Sequence, residues 1–525
     1  MSSTLEQPDT LVETSPHFGP SPASVLIDRL PESWKWPKVV AGFACLLGLH
    51  FLTMSHRSLH HAEVWEQLSY GRQIVEHRAL PQTDPFLFLQ QGMTVTDNNW
   101  LGQVSAYLMH RTWGVSALQF LQAVCVTGSL LALTLFGYRR TRSVAWTVAG
   151  LGLFYLLDWF QFGILRPQLA GLFLFVLLVT GSTPRKLTTK DWLLVPLLFA
   201  VWANVHASFL AGLAWMVCLT LGRAIDLWRR SGQFTAFFHD RSFRRLVMLT
   251  ELAAIATLVN PYGIGIYGHL QNYFQNSNLR DLVEWDPLQI RSIPGAVTAL
   301  TVLALMVVYR RSPRKVSSAE VLAHLVFGGA ALWNSGLLPW WSVVAVVTLV
   351  IHGAAATRDA SVDLRAASPR AGKWTVIALA MAWIAFGFSP FGSRLLHGRQ
   401  ADSKKSLSPL APADLAVYLR EHPISGQVFN TMEVGDYLLW AGPRDLKLFM
   451  TSRVELAPRE VWKTYFATIN GSTEWKDHLD RYGVNAIILD KLDRKSLINE
   501  IKEDGNWKRD YEDNVAVVYL RKKPL

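Results

Sequence analysis

The sequence predicts an α-helical polytopic membrane protein with about eleven transmembrane helices and a C-terminal soluble α/β domain. Three observations predict it. First, 50% of the 525 residues are hydrophobic and only 17% are charged, against about 25% charged in an ordinary globular chain. Second, the apolar residues are segregated. Charge-free runs such as 118–136 and 293–309 are as long as a bilayer span requires, and all of them fall between Val39 and Phe391. The mean hydropathy of +0.19 averages these runs with an ordinary soluble stretch over 403–525. Third, the net charge of +11 is dispersed in small clusters between apolar runs. One basic patch would point to nucleic acid; dispersed clusters encode topology. A soluble globular protein and a nucleic-acid-binding protein are both excluded.

Residues 1–31 are polar and proline-bearing and carry no cleavable signal peptide, so 1–35 reads as a disordered cytoplasmic tail. The transmembrane domain spans 36–395, with helices at 39–54, 114–138, 144–160, 168–181, 192–203, 208–227, 246–259, 293–309, 321–333, 339–351 and 374–388. The short pairs around Arg166 and His206 read either as full crossings or as dips that return, with the same sidedness in both cases. The three cysteines, Cys45, Cys125 and Cys218, lie inside apolar runs. They read as small buried hydrophobes without disulfide or metal spacing.

Lysine and arginine set the orientation. One set of loops carries twenty of them, including Arg139-Arg140, Arg229-Arg230, Arg310-Arg311 and Arg370 with Lys373, while the opposite set carries seven. The first set is therefore expected to be cytoplasmic. The large loop 55–112 and the domain 403–525 are then extracytoplasmic, in a multi-pass protein of the inner (cytoplasmic) membrane. Trp113, Trp192, Trp228, Trp333, Trp340 and Trp374 fall at span ends, as an interfacial belt would place them.

The inner loops are short and basic, whereas the outer ones hold residues that can do chemistry. In the first outer loop, Leu68, Ile74 and Val75 share one face of an amphipathic helix over 62–77, with Glu63 in its first turn and Asp84-Pro85 opening a turn beyond it. Asn99-Trp100-Leu101 then enters a second short helix. Further outward turns bring Asp158, Arg166-Pro167, Asn204-Val205-His206, Asn260-Pro261-Tyr262-Gly263 and Glu284-Trp285. Structural readings stand beside the functional ones. The helix dipole favours Glu63 in a first turn. Asn260 suits a span-terminating turn, and His206 suits a bond to a neighbouring span. Arg166 is expected to pair with Asp158 or with a phosphate. Glu251 and His324 read as contacts between spans.

In the last domain, a helix begins at Pro412, with short strands over 427–430 and 447–450 and a strand or helix over 436–440. A helix over 475–482, a buried strand over 484–489 and a closing strand over 515–521 complete it. This alternation predicts a small α/β domain. It has no phosphate loop, nucleophile elbow or zinc signature, and reads as a lid or docking module.

Taken in order, Glu63-Val64-Trp65, Gly71-Arg72, Pro81-Gln82-Thr83-Asp84-Pro85-Phe86, Asn99-Trp100-Leu101, Arg166-Pro167-Gln168, Trp202-Ala203-Asn204-Val205-His206, Asn260-Pro261-Tyr262-Gly263, Glu284-Trp285, Val428-Phe429-Asn430, Gly435-Asp436-Tyr437 and Thr451-Ser452-Arg453 resemble bacterial GT-C type membrane glycosyltransferases. The resemblance covers most of the chain. It implies transfer of a sugar from a polyprenyl-phosphate donor to a lipid, glycan or protein acceptor at the outer membrane face, with the characteristic acidic residue falling on Glu63. The family more often has aspartate there, followed by paired tryptophans and a histidine, where this chain has Trp65-Glu66-Gln67. It often reads Asp-Gly-Arg where this chain has Thr451-Ser452-Arg453.

On this reading Glu63 is the base of an inverting transfer, with Asp84 assisting. Arg166 and His206 meet the lipid phosphate, Trp100 and Trp285 stack on sugar, and Glu284 and Asn260 complete the substrate site. A divalent cation, Mg or Mn, would be held by Glu63, Asp84 and Glu284. The competing readings are a carrier or flippase for lipid-linked glycans and a catalytically degenerate membrane scaffold. A carrier would place its polar groups at mid-membrane and show internal repeats; the sequence shows neither.

Overall fold

A computed structural model describes residues 30–59, 63–90, 93–183, 188–233, 235–357, 370–398 and 406–523. The expected tail up to residue 29, His60, His61, Arg185, Lys186, Arg358 and Arg365 lie outside these residues.

All eleven expected spans coincide with helices, and the chain is an integral multi-pass membrane protein. In order, these helices are α1 (Lys38–Ser55), α4 (Val115–Thr141), α5 (Val144–Phe162), α6 (Pro167–Ser182), α7 (Asp191–Val205), α8 (Phe209–Ser231), α9 (Arg241–Ala256), α11 (Ile293–Arg311), α12 (Ser318–Trp333), α13 (Leu338–Ala356) and α14 (Gly372–Phe388). Between them lie α2 (Glu63–His77) and α3 (Trp100–Trp113) in the first loop, and α10 (Gly265–Gln275) after α9. Among the described residues, five helices are long and apolar enough to cross a bilayer by themselves: α1, α4, α8, α11 and the stretch that contains α13. A sixth is reached if α14 is joined to α15 (Pro390–His397), which turns from it by 84°. Helices α6, α7 and α12 are apolar but shorter. The count of eleven full crossings therefore exceeds what length and apolarity support by themselves.

Caps and prolines start these helices where their backbone N–H groups lack partners. Asp240 accepts from Phe243 N at 2.7 Å before α9, Ser143 caps α5 through Trp146 N, and Pro167 opens α6. Helix α13 is buried at every residue from Leu338 to Ala354 and forms the centre of the bundle, which explains its apolarity on all sides. Cys125 and Cys218 are buried, whereas Cys45 is exposed on the outer surface of α1. A ribbon of β1 (Trp36–Pro37) and β2 (Arg370–Ala371) ties the starts of α1 and α14 together at the basic end of the bundle.

At the opposite end sits a five-stranded sheet in the order β4 (Lys447–Leu448), β3 (Gln427–Asn430), β5 (Val484–Asp490), β7 (Ala516–Arg521), β6 (Trp507–Glu512). Strand β3 runs parallel to β4 and β5, while β7 is antiparallel to both β5 and β6. Its helices are α16 (Ala413–Glu421), α17 (Met432–Ala441), α18 (Arg459–Ile469), α19 (Trp475–Arg481) and α20 (Lys495–Glu503). The ambiguous 436–440 stretch is helical, within α17.

This domain does not hang free as a lid would. Trp65 of α2 packs edge-on to Tyr437 at 5.3 Å, and Arg72 lies 4.8 Å over the Trp440 ring. Leu68 of α2 shares one core with Leu415, Val434 and Leu438 of the domain. On the other side, Asp281 accepts from Arg459 Nη1 at 2.6 Å and from Trp462 Nε1 at 2.8 Å.

Gly71 sets how closely α2 meets α3. A Cβ there would lie 2.3 Å from the carbonyl oxygen of Gln103, which is backbone and cannot rotate away. Gly71→Ala is therefore expected to be destabilising by about 1–3 kcal/mol, the usual range for overpacking. A thermal midpoint unchanged in detergent would show that the helices separate at no cost.

Candidate functional site

The first turn of α2 faces inward with Glu63, and Glu66 follows one turn later on the same side. Arg166, at the N-terminal boundary of α6, reaches both this helix and the loop before α11. Its Nε lies 2.7 Å from Glu63 Oε2 and its Nη1 2.7 Å from Glu284 Oε1. The expected partner Asp158 is elsewhere: it is fully buried and accepts from Ser342 Oγ at 2.5 Å. Sidedness in sequence places both residues at one depth but does not say on which side of a helix each points.

These groups line a cavity of about 1040 Å³ between the membrane helices and the C-terminal domain. Glu63, Arg166, His206, Glu284 and Trp285, five of the residues expected from sequence, share that cavity. Its deeper wall is apolar, with Leu210, Ala214, Phe327, Ala330 and Trp340 from α8, α12 and α13. Trp285 stands beside Tyr273 and Phe274, with ring centroids 6.2 and 6.1 Å apart.

Three expected site residues do not line it. Asp84 Oδ1 accepts from the backbone N–H of Phe86 at 2.7 Å and of Leu87 at 3.3 Å, while Oδ2 accepts from Tyr70 Oη at 3.3 Å. Its carboxylate is thus spent on holding a turn and a tyrosine. Trp100 donates from Nε1 to Asn204 Oδ1 at 2.8 Å, and Asn204 in turn donates to Val259 O at 2.7 Å. Asn260 folds its own turn, accepting from Tyr262 N at 2.7 Å and donating to Thr257 O at 2.7 Å.

Glu63, Asp84 and Glu284 do not converge as cation ligands. Asp84 is turned away, and the other two share Arg166. Among the described residues no three His, Cys, Asp or Glu side chains are grouped to hold a metal ion.

Enclosure by protein pushes the Glu63 pKa up to about 7, with Arg166 opposing the shift and Glu284 and Glu455 reinforcing it. His206 moves the other way. Burial lowers its pKa to about 4, and its Nδ1 accepts from Ser208 N at 3.1 Å. It is therefore a neutral imidazole, with Nε2 left as the protonated nitrogen, and not the cation a phosphate site would use.

A second cluster, made of residues singled out for no role from sequence, forms the wall toward the C-terminal domain. Arg453 enters from that domain with its Nε 3.2 Å from Glu455 and 3.8 Å from Glu66, and its Nη1 3.6 Å from Asp97. The guanidinium lies 4.5 Å over the Tyr70 ring, the same tyrosine that Asp84 holds. Asp97 is fixed in turn by Gln103 Nε2 at 2.9 Å, and Gln103 also donates to Gln67 at 3.0 Å. The cavity is lined by the carboxylates of Glu63, Glu66, Asp97, Glu284, Asp286 and Glu455, and by the guanidiniums of Arg166, Arg280 and Arg453. Six acidic side chains gathered on three arginines in a chain of net +11 mark the site as built for a purpose other than topology.

No protein-family model matches the sequence, and no curated protein matches it. Solved structures do. The chain is similar to ArnT from Cupriavidus metallidurans in the apo state, with a TM-score of 0.50, 11% identity, and 91% of this chain and 96% of that one covered. ArnT bound to undecaprenyl phosphate aligns at a TM-score of 0.49 and 11% identity over 92% of this chain and 97% of that one. The apo oligosaccharyltransferase of Archaeoglobus fulgidus aligns at a TM-score of 0.48 and 12% identity over 86% of this chain and 69% of that one. The likeness to apo ArnT shows that the chain takes the GT-C fold.

Proposed function

We propose that this chain is an inverting glycosyltransferase that moves a sugar from a polyprenyl-phosphate donor to a lipid, glycan or protein acceptor. The observation that carries the reading is the Glu63–Arg166–Glu284 cluster, set where a polar cavity meets an apolar wall between membrane helices. Inverting transfer needs a base for the acceptor hydroxyl and positive charge for the departing phosphate. Glu63, with a pKa near neutrality, supplies the first. Arg166, beside it and only 10% exposed, supplies the second, and Arg280 adds a further cation on the same cavity. His206 offers a neutral Nε2–H to a phosphate oxygen. The prenyl chain lies along the apolar wall, as undecaprenyl phosphate is the lipid that ArnT binds.

We place the cavity on the extracytoplasmic side of the inner membrane, since the arginine clusters gather at the other end of the helices. A divalent cation would have to sit among carboxylates already engaged by Arg166 and Arg453, so no step is assigned to one. A carrier is the less favoured reading, because the charged groups cluster at helix ends, under a docked domain, and not on broken helices at mid-membrane. The purified protein in liposomes is expected to release polyprenyl phosphate from a donor lipid when an acceptor is present. Movement of the intact donor across the bilayer without cleavage would instead identify a carrier.

A further inference from the structure

We infer that the wall formed by Glu66, Asp97 and Arg453 is a subsite for an uncharged sugar ring. The inference rests on the glycosyltransferase reading for the kind of ligand, and on the wall itself for its chemistry. Glu66 Oε1, Asp97 Oδ2 and Arg453 Nη1 are buried and have no hydrogen-bond partner, and so is Asn98 Oδ1 beside them. Glu66 and Asp97 are each 1% exposed, yet both line the cavity. Their distances to Arg453, 3.8 and 3.6 Å, exceed the roughly 2.7–3.2 Å of a hydrogen bond. Two carboxyl groups and a guanidinium are thus held close but not joined, and leaving such groups unsatisfied is costly.

The donor and acceptor inventory decides what completes them. A hydroxyl donates and accepts, so adjacent sugar hydroxyls can each give a hydrogen to Glu66 or Asp97 and take one from Arg453. An ammonium group only donates, so although Glu66, Asp97 and Glu455 attract it, it cannot take the hydrogen that Arg453 offers, while a sugar carboxylate would face those three acids. An uncharged ring satisfies both signs. The framework is rigid enough for this: Gln103 and the backbone of Asn99 hold Asp97 Oδ1, and Tyr70 supports the guanidinium from below.

The test uses the full chain in detergent with methyl glucoside, methyl glucosaminide and methyl glucuronide as probes, read by saturation-transfer NMR. The wild type is expected to bind the neutral glycoside at least about tenfold more tightly than either charged one, which corresponds to one lost charge-assisted contact. Asp97→Asn keeps Oδ1 and the side-chain shape but turns the atom facing Arg453 from acceptor to donor. Asp97→Asn and Glu66→Gln are each expected to weaken the neutral glycoside at least about fivefold, with near-native melting. Equal binding in both variants, preference for a charged glycoside, or binding of undecaprenyl phosphate without any glycoside would overturn the subsite; the last result would mean the gap holds water. Binding of neutral glycoside without any binding of undecaprenyl phosphate would keep the subsite and remove the lipid-donor reading.

Discussion

Replacing Glu63 by Gln is expected to lower transfer by about 10²–10⁴-fold, the usual contribution of a positioned general base. The wild-type rate should rise with pH through about 7 and then level, because only the deprotonated carboxylate accepts a proton. Glu63→Gln should lose that limb of the profile. Stability should not follow activity. The folded-state pKa of Glu63 is raised, so its ionisation penalises the fold: the penalty is absent below the ordinary carboxyl range, grows toward pH 7 and is complete above it. Gln carries no such penalty, and a melting point at pH 8 at or above that of the wild type would separate chemistry from structure. A Glu63→Gln protein of full activity would remove the assignment.

Arg166→Met is expected to cost about 10²–10³-fold in turnover, comparable to losing one preorganised donor at a developing charge. It also leaves Glu63 and Glu284 facing each other without the guanidinium that joins them. The pH limb of any residual activity should then move upward, since removing a neighbouring cation raises a carboxylate further. Arg166→Lys should recover part of the rate but less than the whole, because an ammonium cannot make the forked contact to two carboxylates. A variant that is slower but keeps the wild-type pH profile would show that Arg166 only braces the helix.

The membrane helices were legible because a bilayer imposes a simple pattern, long apolar runs punctuated by charge, and every run became a helix. The edge strand β6 was missed for the opposite reason. Trp507–Glu512 carries charges at most positions and is largely exposed, so it shows no apolar alternation. Helix α17 was ambiguous because its short apolar stretch fits either period, and packing of Trp440 and Tyr437 against Trp65 decides it.

The site was legible only in part. Sequence order shows that Glu63, Arg166, His206 and Glu284 share a membrane face, and they do meet in one cavity. Whether a residue on that face looks inward depends on helix rotation, which sidedness does not carry; Asp84 and Asn260 point into their own turns, and Trp100 points to Asn204 of α7. The Glu66–Arg453–Asp97 cluster joins the first outer loop to the C-terminal domain, and no local pattern links residues so far apart. The available signal was charge: the first outer loop places Glu63, Glu66, Glu76, Asp84 and Asp97 in an otherwise basic chain.

On the proposed function, chemistry at Glu63 builds a glycan. Mass spectrometry of envelope glycans and glycolipids tests it most directly, in cells that lack the protein and carry either the wild type or Glu63→Gln at equal abundance. A sugar modification is expected to disappear with the protein, return with the wild type and stay absent with Glu63→Gln. Restoration of the full glycan profile by Glu63→Gln would contradict it.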